Sequence, residues 1–154
     1  MQNNLTIIFE NGLCQLHVDL GAKQIEQCLS FIALLQKWNK AYNLTAITEP
    51  REMISKHLLD SLALVPHLSV GNIIDVGSGA GLPGIPLAIA LPDQQFTLLD
   101  SDGKRTRFIT QAVLELQLKN VQVIHARAEK YQPKQCHEMV LTRAFSNLTE
   151  MLHK

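Results

Sequence analysis

Three alternate glycines after an acidic residue form the stretch whose residue types and spacing point most directly to chemistry. Asp75 ends an apolar run, and Gly77, Gly79 and Gly81 follow it at every second position. Glycines in such a turn leave backbone N–H groups bare beside a bound cofactor, at the start of the next helix. A dinucleotide fingerprint also needs a small residue at its third position, where this sequence has Leu82. The spacing therefore favours a different cofactor, the alternative being a glycine turn that binds no ligand.

The spacing Asp-x-Gly-x-Gly-x-Gly is similar to the first motif of class I methyltransferases, which bind S-adenosylmethionine (SAM). The methionine moiety of SAM would lie flat against the turn. A second acidic residue, Asp100, ends the run 95–100 and suits the two ribose hydroxyls of an adenosine, in SAM and NAD alike. An acid there could also cap the next helix, but Ser101 or Asp102 is available for that role. We therefore expect Asp100 to bind ribose.

Short apolar runs predict the strands that must position these residues, at 73–76, 95–100, 121–125 and 138–141. Helical patterns follow the first two runs, which is typical of a parallel sheet with crossover helices. Ligands of such sheets bind beside the carboxyl ends of the strands. The prediction is an α/β fold, a partial class I SAM-dependent methyltransferase (Rossmann-like) sheet over residues 69–154. A further helix is predicted over residues 147–154.

Residues 1–68 predict an all-helical N-terminal cap. An apolar cluster near the start is followed by Gly12, which we interpret as the end of a first helix. Apolar residues then recur at helical spacing over residues 23–38. A third helix is predicted to begin with Thr48 as its capping hydroxyl and Pro50 in its first turn.

Polar residues on these helices leave several roles open. His57 and Asp60 lie three apart, so they form a surface pair, a capped core histidine, or part of a pocket wall. Residues 37–45 mix the cations Lys37 and Lys40 with two aromatic residues. Such a segment offers phosphate contacts and stacking surfaces for RNA. Residue types alone favour the other interpretation, in which Trp38 enters the core.

Three further cations, Lys104, Arg105 and Arg107, open the helix after Asp100. Positive charges at a helix N-terminus oppose the helix dipole by a few tenths of a kcal/mol each. Their placement indicates either a phosphate contact or a solvated basic edge.

Composition narrows the class of protein. The 154 residues are 46% hydrophobic and 18% charged, which suits a single soluble α/β domain with a small appendage. Net charge is zero, so any nucleic-acid binding must come from a local patch. The three widely spaced cysteines argue against a disulfide framework or a metal site. With neither a membrane-spanning run nor a signal peptide evident, we expect a cytoplasmic protein with no membrane partner.

Several motifs in order resemble the RsmG family, also called glucose-inhibited division protein B. They lie at residues 37–45, 57–62, 74–86, 97–108 and 142–145. The family uses SAM to methylate guanine N7 in bacterial 16S ribosomal RNA, so the resemblance implies SAM as cofactor and the small ribosomal subunit as partner. It also implies that Gly77 and Leu82 line the SAM site, that Ala128 and Glu129 meet the adenine, and that Arg143 completes the pocket. The cations at 37–40 and 104–107 would then contact RNA.

The resemblance also implies a strand order of 3-2-1-4, with further strands in family members that this sequence lacks. An uncovered fourth strand around Val140 would be an apolar edge. From this we expect marginal stability of the chain alone, either self-association through this edge or stabilisation by partner contacts, and methyl transfer that is weak or absent.

Guanine N7 has a lone pair and no proton to lose, so no catalytic acid or base is nominated. The alternatives are a small-molecule methyltransferase and an inactive module that binds SAM or RNA. A dehydrogenase is disfavoured by Leu82.

Overall fold

The computed structural model describes residues 2–143, so the helix predicted over 147–154 lies outside the described residues. The helices are α1 (Gln2–Leu16), α2 (Ala22–Tyr42), α3 (Pro50–Met53), α4 (Asp60–Leu62), α5 (Gly84–Ala90) and α6 (Gly103–Glu115). A π-helical segment, Ile54–Leu59, joins α3 to α4, and two short 3-10 helices cover Val65–His67 and Ala128–Lys130. None of the helices in this part of the chain is both long and apolar enough to span a membrane.

The four strands are β1 (Asn72–Val76), β2 (Gln95–Asp100), β3 (Val121–His125) and β4 (Met139–Leu141). They form one sheet in the order β3-β2-β1-β4, and every neighbouring pair is parallel. The predicted α/β class and strand order are confirmed. In this order β2 and β3 are added on one side of β1, and β4 is added on the other side. Open α/β sheets bind ligands at such a switch in strand order.

The helices before the sheet and those within it share one apolar core. Phe31 of α2 lies 6.1 Å from Phe108 of α6 between ring centroids, and Trp38 lies 5.7 Å from the same ring. Trp38 is thus partly buried against the core, as the composition of its segment favoured. The proposed division at residue 68 stays a prediction.

Gly12 does not end α1, contrary to the sequence prediction. It is buried within the helix, where an added Cβ would overlap the methyl groups of Leu59. The helix ends instead at Leu16, and His17 follows with a left-handed φ of 55°, while the Val18 N–H donates to the Leu13 carbonyl. Gly12 therefore serves close packing between α1 and the π-helical segment.

The start of α3 also differs from the prediction, because Glu49 rather than Thr48 is the cap. A Glu49 carboxylate oxygen accepts the Glu52 N–H at 3.1 Å, and Pro50 occupies the first turn as expected. Further along, His57 is buried and its Nε2 lies 2.9 Å from the Thr45 hydroxyl. His57 is therefore a core histidine, whereas Asp60 is exposed and pairs with Arg143.

Candidate cofactor-binding site

The glycine turn after β1 is held by backbone geometry that glycine adopts without strain. Gly77, Gly79 and Gly81 have φ values of 74°, 57° and 83°, all in the left-handed region. The N–H groups of Gly77 and Ser78 both donate to the carbonyl of Leu99, at 2.8 and 3.1 Å. This pair of bonds fixes the turn to the carboxyl end of β2.

Gly84 performs the packing role that a dinucleotide fingerprint gives to its third position. A Cβ on Gly84 would lie 2.8 Å from both Asp75 Oδ2 and Leu98 Cγ, so only glycine lets α5 approach the sheet this closely. The Gly84 N–H also donates to Asp75 Oδ2 at 3.0 Å. Leu82, the residue at the third fingerprint position in the sequence, does not have this role and is a buried side chain with 6% of its surface exposed.

The buried carboxyl of Asp75 lies beneath this turn. Its side chain is fully buried, and its Oδ1 has no hydrogen-bond partner among the described residues. Burial raises the pKa of Asp75 to about 7, although the Gly84 N–H opposes that change and the nearby charge of Asp100 adds to it. A carboxyl in such surroundings keeps its proton well above the ordinary range.

Asp100 ties the glycine turn to the loop after β2. Its Oδ2 accepts the Gly79 N–H and its Oδ1 accepts the Asp102 N–H, each at 2.8 Å. Asp102 in turn caps α6 by accepting the N–H groups of Lys104 and Arg105, as the sequence indicated. Each carboxylate oxygen of Asp100 keeps a second lone pair, which leaves capacity for two ligand hydroxyls.

The glycine turn and Asp100 border one cleft of about 510 Å³ at the carboxyl ends of β1, β2 and β3. Its lining consists of Leu44, Val76, Gly77, Gly79, Leu99, Asp100, Ser101, Arg105, Ala126, Arg127, Ala128 and Glu129. Above Gly79 the space is open, because the atom nearest to an added Cβ would be the Gly77 carbonyl oxygen at 4.0 Å. The cleft is large enough for a nucleoside-sized ligand.

Five of the seven sequence-predicted cofactor residues meet in this cleft, namely Gly77, Gly79, Asp100, Ala128 and Glu129. Leu82 and Arg143 are not among its lining residues. Arg143 instead donates to the Lys56 carbonyl at 2.7 Å and to Asp60 Oδ2 at 3.3 Å.

Seven lining residues were not assigned to the cofactor site from the sequence: Leu44, Val76, Leu99, Ser101, Arg105, Ala126 and Arg127. Ser101 and Arg127 follow the ends of β2 and β3. They could have been predicted from the rule that ligands of parallel sheets bind beside the carboxyl ends of the strands. That rule does not apply to Leu44, because it reaches the cleft from the helical region.

A local hydrogen-bond network positions the segment that contains Leu44 beside the cleft. Asn43 ends α2 with a φ of 50°, and Asn39 Oδ1 accepts the Thr45 N–H at 2.9 Å. Thr45 in turn bonds His57. Burial lowers the pKa of His57, and the positive charge of Arg143 lowers it further.

The two predicted groups of RNA-contacting cations come from adjoining helix ends. Lys37 and Lys40 are exposed near the end of α2, while Lys104, Arg105 and Arg107 are exposed at the start of α6. The contact between Trp38 and Phe108 joins those two helix ends. Trp38 also stacks on Tyr42, with ring centroids 5.2 Å apart.

Comparison with known proteins places this chain in a family. Residues 24–154 match the model of the family described as rRNA small subunit methyltransferase G. "Ribosomal RNA small subunit methyltransferase G" of Alteromonas mediterranea is 52% identical over 153 residues, covering 99% of this chain and 72% of the relative. The protein of the same name from Pseudomonas syringae pv. syringae is 55% identical over 139 residues, covering 90% of this chain and 65% of the relative.

Among solved structures, the crystal structure of coclaurine N-methyltransferase bound to N-methylheliamine and SAH has a similar fold. Its TM-score is 0.51 at 14% identity, and the match covers 91% of this chain and 49% of that chain. That likeness supports the class I methyltransferase fold alone. Because the family model spans most of the sequence and both relatives exceed half identity, the chain belongs to the rRNA small subunit methyltransferase G family.

Proposed function

We propose that this chain binds SAM in the cleft after β1 and transfers its methyl group to N7 of a guanine in 16S ribosomal RNA. The observation that carries the proposal is the open space above left-handed Gly79, beside a carboxylate that ties the turn to β2. Family membership supports the same reaction class. The chain spans 65–72% of the length of the two relatives compared above, so the activity of the whole protein is part of the proposal.

The cleft's residues fit SAM in kind and in arrangement. Open space above Gly79 admits the flat methionine moiety, which a side chain at that position would displace. Asp100 has lone pairs left for the ribose hydroxyls. Ala128 and Glu129 line the cleft where the adenine would lie, and we keep Leu82 and Arg143 as proposed contributors to the site.

When bound, SAM supplies an electrophilic methyl group on a sulfonium. Guanine N7 has an in-plane lone pair that would form the new bond to carbon while the carbon–sulfur electron pair would stay with sulfur. Because N7 carries no proton, none would need removal. The chain's own contribution is then to orient the two reactants in line and to exclude water. Leu44 and Leu99 supply apolar surface to that cleft. No side chain is assigned as a catalytic acid or base.

The RNA would bind along the adjoining ends of α2 and α6. Lys37, Lys40, Lys104 and Arg107 are exposed there, and Arg105 extends the same positive surface to the cleft. A local cluster of this kind can attract phosphates although the net charge of the chain is zero. We take the small ribosomal subunit as the partner, and the cytoplasm as the compartment where such a partner is found.

We further propose that the chain self-associates through β4. Within residues 2–143, β4 pairs with β1 only, and Val140 keeps 53% of its surface exposed. An apolar strand with one unpaired edge is a template for another strand.

Cofactor choice and methyl acceptor are tested separately. Calorimetry should detect S-adenosylhomocysteine (SAH) binding tighter than NADH binding, and the reverse order would refute the SAM assignment. With labelled SAM and 30S subunits lacking the modification, the label should appear as 7-methylguanosine in 16S RNA. Label recovered only in a pool of small metabolites would instead favour a small-molecule methyltransferase.

A further inference from the structure

Two arginines line the cofactor cleft from neighbouring loops. Arg105 lies in the first turn of α6, and Arg127 follows β3. Both are exposed, and both line the cleft. The ion pairs described within residues 2–143 join Lys56 to Glu52 and Arg143 to Asp60, so neither cleft arginine forms an ion pair there. The backbone N–H groups that Asp102 accepts lower its pKa, and the nearby charge of Arg105 helps to lower it further.

The cofactor itself does not account for these two charges. In the arrangement proposed above, the negatively charged carboxylate of SAM lies against the glycine turn. Arg105 and Arg127 instead flank Asp100 and Ala128, where the ribose and the adenine would lie. Neither of those groups carries a negative charge, so the cofactor offers no anion to the two guanidinium groups. The carboxylates of Asp100 and Glu129 line the same cleft, but within residues 2–143 neither arginine forms an ion pair with them, so both guanidinium groups can still bind an anion from another molecule.

An RNA phosphate has the required chemistry. A guanidinium group binds phosphate oxygens through two parallel N–H donors, which fixes both position and orientation. Arg105 is also continuous with Lys104 and Arg107 on the exposed start of α6. An RNA backbone whose phosphates contact Lys104 and Arg107 would therefore reach the cleft at Arg105.

We propose that Arg105 and Arg127 form a clamp for the RNA phosphate beside the target guanosine, and that this clamp couples RNA binding to cofactor binding. The inference rests on the proposed function. A phosphate held between the two arginines closes the side of the cleft where the adenosine lies. The closed cleft then holds the cofactor with higher affinity while RNA is bound, and by linkage the cofactor strengthens RNA binding by the same factor.

The test compares SAH affinity with and without RNA. Equilibrium dialysis with labelled SAH measures the dissociation constant of the parent chain, Arg105→Gln and Arg127→Gln, alone and with unmodified 30S subunits. Arg107→Gln and Lys130→Gln serve as matched controls, since they remove exposed charges next to the same elements without lining the cleft.

For the parent, 30S subunits should tighten SAH binding by about fivefold or more, the lower end of typical coupling. In both clamp variants that ratio should fall to within about twofold of one, while SAH affinity without RNA stays within about twofold of the parent. The two controls should keep the parent's ratio even where RNA binding weakens.

Clamp variants that retain the parent's ratio would overturn the proposal. So would variants that lose SAH affinity in the absence of RNA, because the arginines would then belong to the cofactor site. A parent chain that binds 30S subunits without any coupling overturns the clamp alone. A parent chain that binds SAH but no 30S subunits overturns the proposed function as well.

Discussion

At the residue scale, Gly79 and Gly81 share a backbone conformation but differ in what surrounds them. An alanine at either position pays for a left-handed φ with about 1–2 kcal/mol. At Gly79 the new methyl group would enter the open cleft. We therefore expect Gly79→Ala to weaken SAH binding by about tenfold or more, equal to about 1.4 kcal/mol, with a modest loss in melting temperature.

Gly81→Ala is the matched control. Its Cβ would lie 2.6 Å from Ile85 Cδ1, inside the core, so overpacking adds about 1–3 kcal/mol of destabilisation. Calorimetry and thermal melting of the two variants should give opposite rankings for affinity and stability. Equal loss of SAH affinity in both would mean that the open space above Gly79 is not the methionine site.

The buried Asp75 carboxyl predicts a specific pH dependence of stability. Its pKa is about 7 in the folded chain against an ordinary value of 3.8, so the folded state holds a proton that the unfolded state releases. Between about pH 4 and 7 the free energy of unfolding should therefore fall as pH rises, by at most about 1.4 kcal/mol per pH unit from this group. Asp75→Asn cannot ionise, so it should lack this contribution.

The measurement is the difference in unfolding free energy between parent and Asp75→Asn, from urea titrations at several pH values. That difference should shift in favour of the variant from pH 4.5 to 7 and level off above it. A constant difference would indicate that the Asp75 carboxyl is already ionised in the folded chain.

Local chemistry made some of these residues predictable. The local backbone conformation is determined by three glycines at alternate positions in the turn and by an aspartate before α6. The turn and the Asp102 cap could therefore be predicted from the sequence. The position of Arg143 does not follow in that way, because its partners Lys56 and Asp60 lie more than 80 residues earlier. Nor does local sequence distinguish Arg105, which lines the cleft, from Arg107, which does not.

At the scale of elements, α1 illustrates packing that overrides helix propensity. Gly12→Ala should strengthen the isolated helix by about 1 kcal/mol, yet the added methyl group would overlap Leu59. We expect a net destabilisation of about 1–3 kcal/mol in urea titration, the range for overpacked cores. Asn11→Ala, an exposed change in the same helix, should be neutral or slightly stabilising. A stabilised Gly12→Ala would show that Leu59 moves aside without cost.

Periodicity made a helix recognisable in the sequence, but it did not fix where the helix ends. The apolar face of α2 identified that helix, although the helix extends to Tyr42 rather than stopping near Trp38. The π-helical segment Ile54–Leu59 has no such signature, since its apolar pattern fits a regular helix equally well. The choice of Glu49 over Thr48 as a cap likewise depends on which residue leaves the helical conformation first.

For the whole molecule, the free edge of β4 predicts self-association that depends on one side chain. Val140→Lys places a charge on the exposed position of that strand without touching the buried core. Sedimentation at several concentrations should show the parent associating and Val140→Lys remaining monomeric. Leu114→Lys, another exposed apolar position on α6, is the control and should associate like the parent. A parent that stays monomeric at all concentrations would contradict the proposed pairing.

The sheet order also determines when each strand that pairs with β1 becomes available during synthesis of the chain. β1 meets β2 across a connection that contains α5, and Ser78 and Leu99 are 21 residues apart, whereas the pair Asn72 and Glu138 at the start of β4 are 66 residues apart. At about 5–20 residues per second, the β4 side of β1 waits roughly 3–13 s for its partner. During that interval the central strand, with Ile73 and Ile74, has one edge open. A nascent chain in this state is a client for chaperones, and slowed translation between residues 76 and 139 would lengthen its exposure.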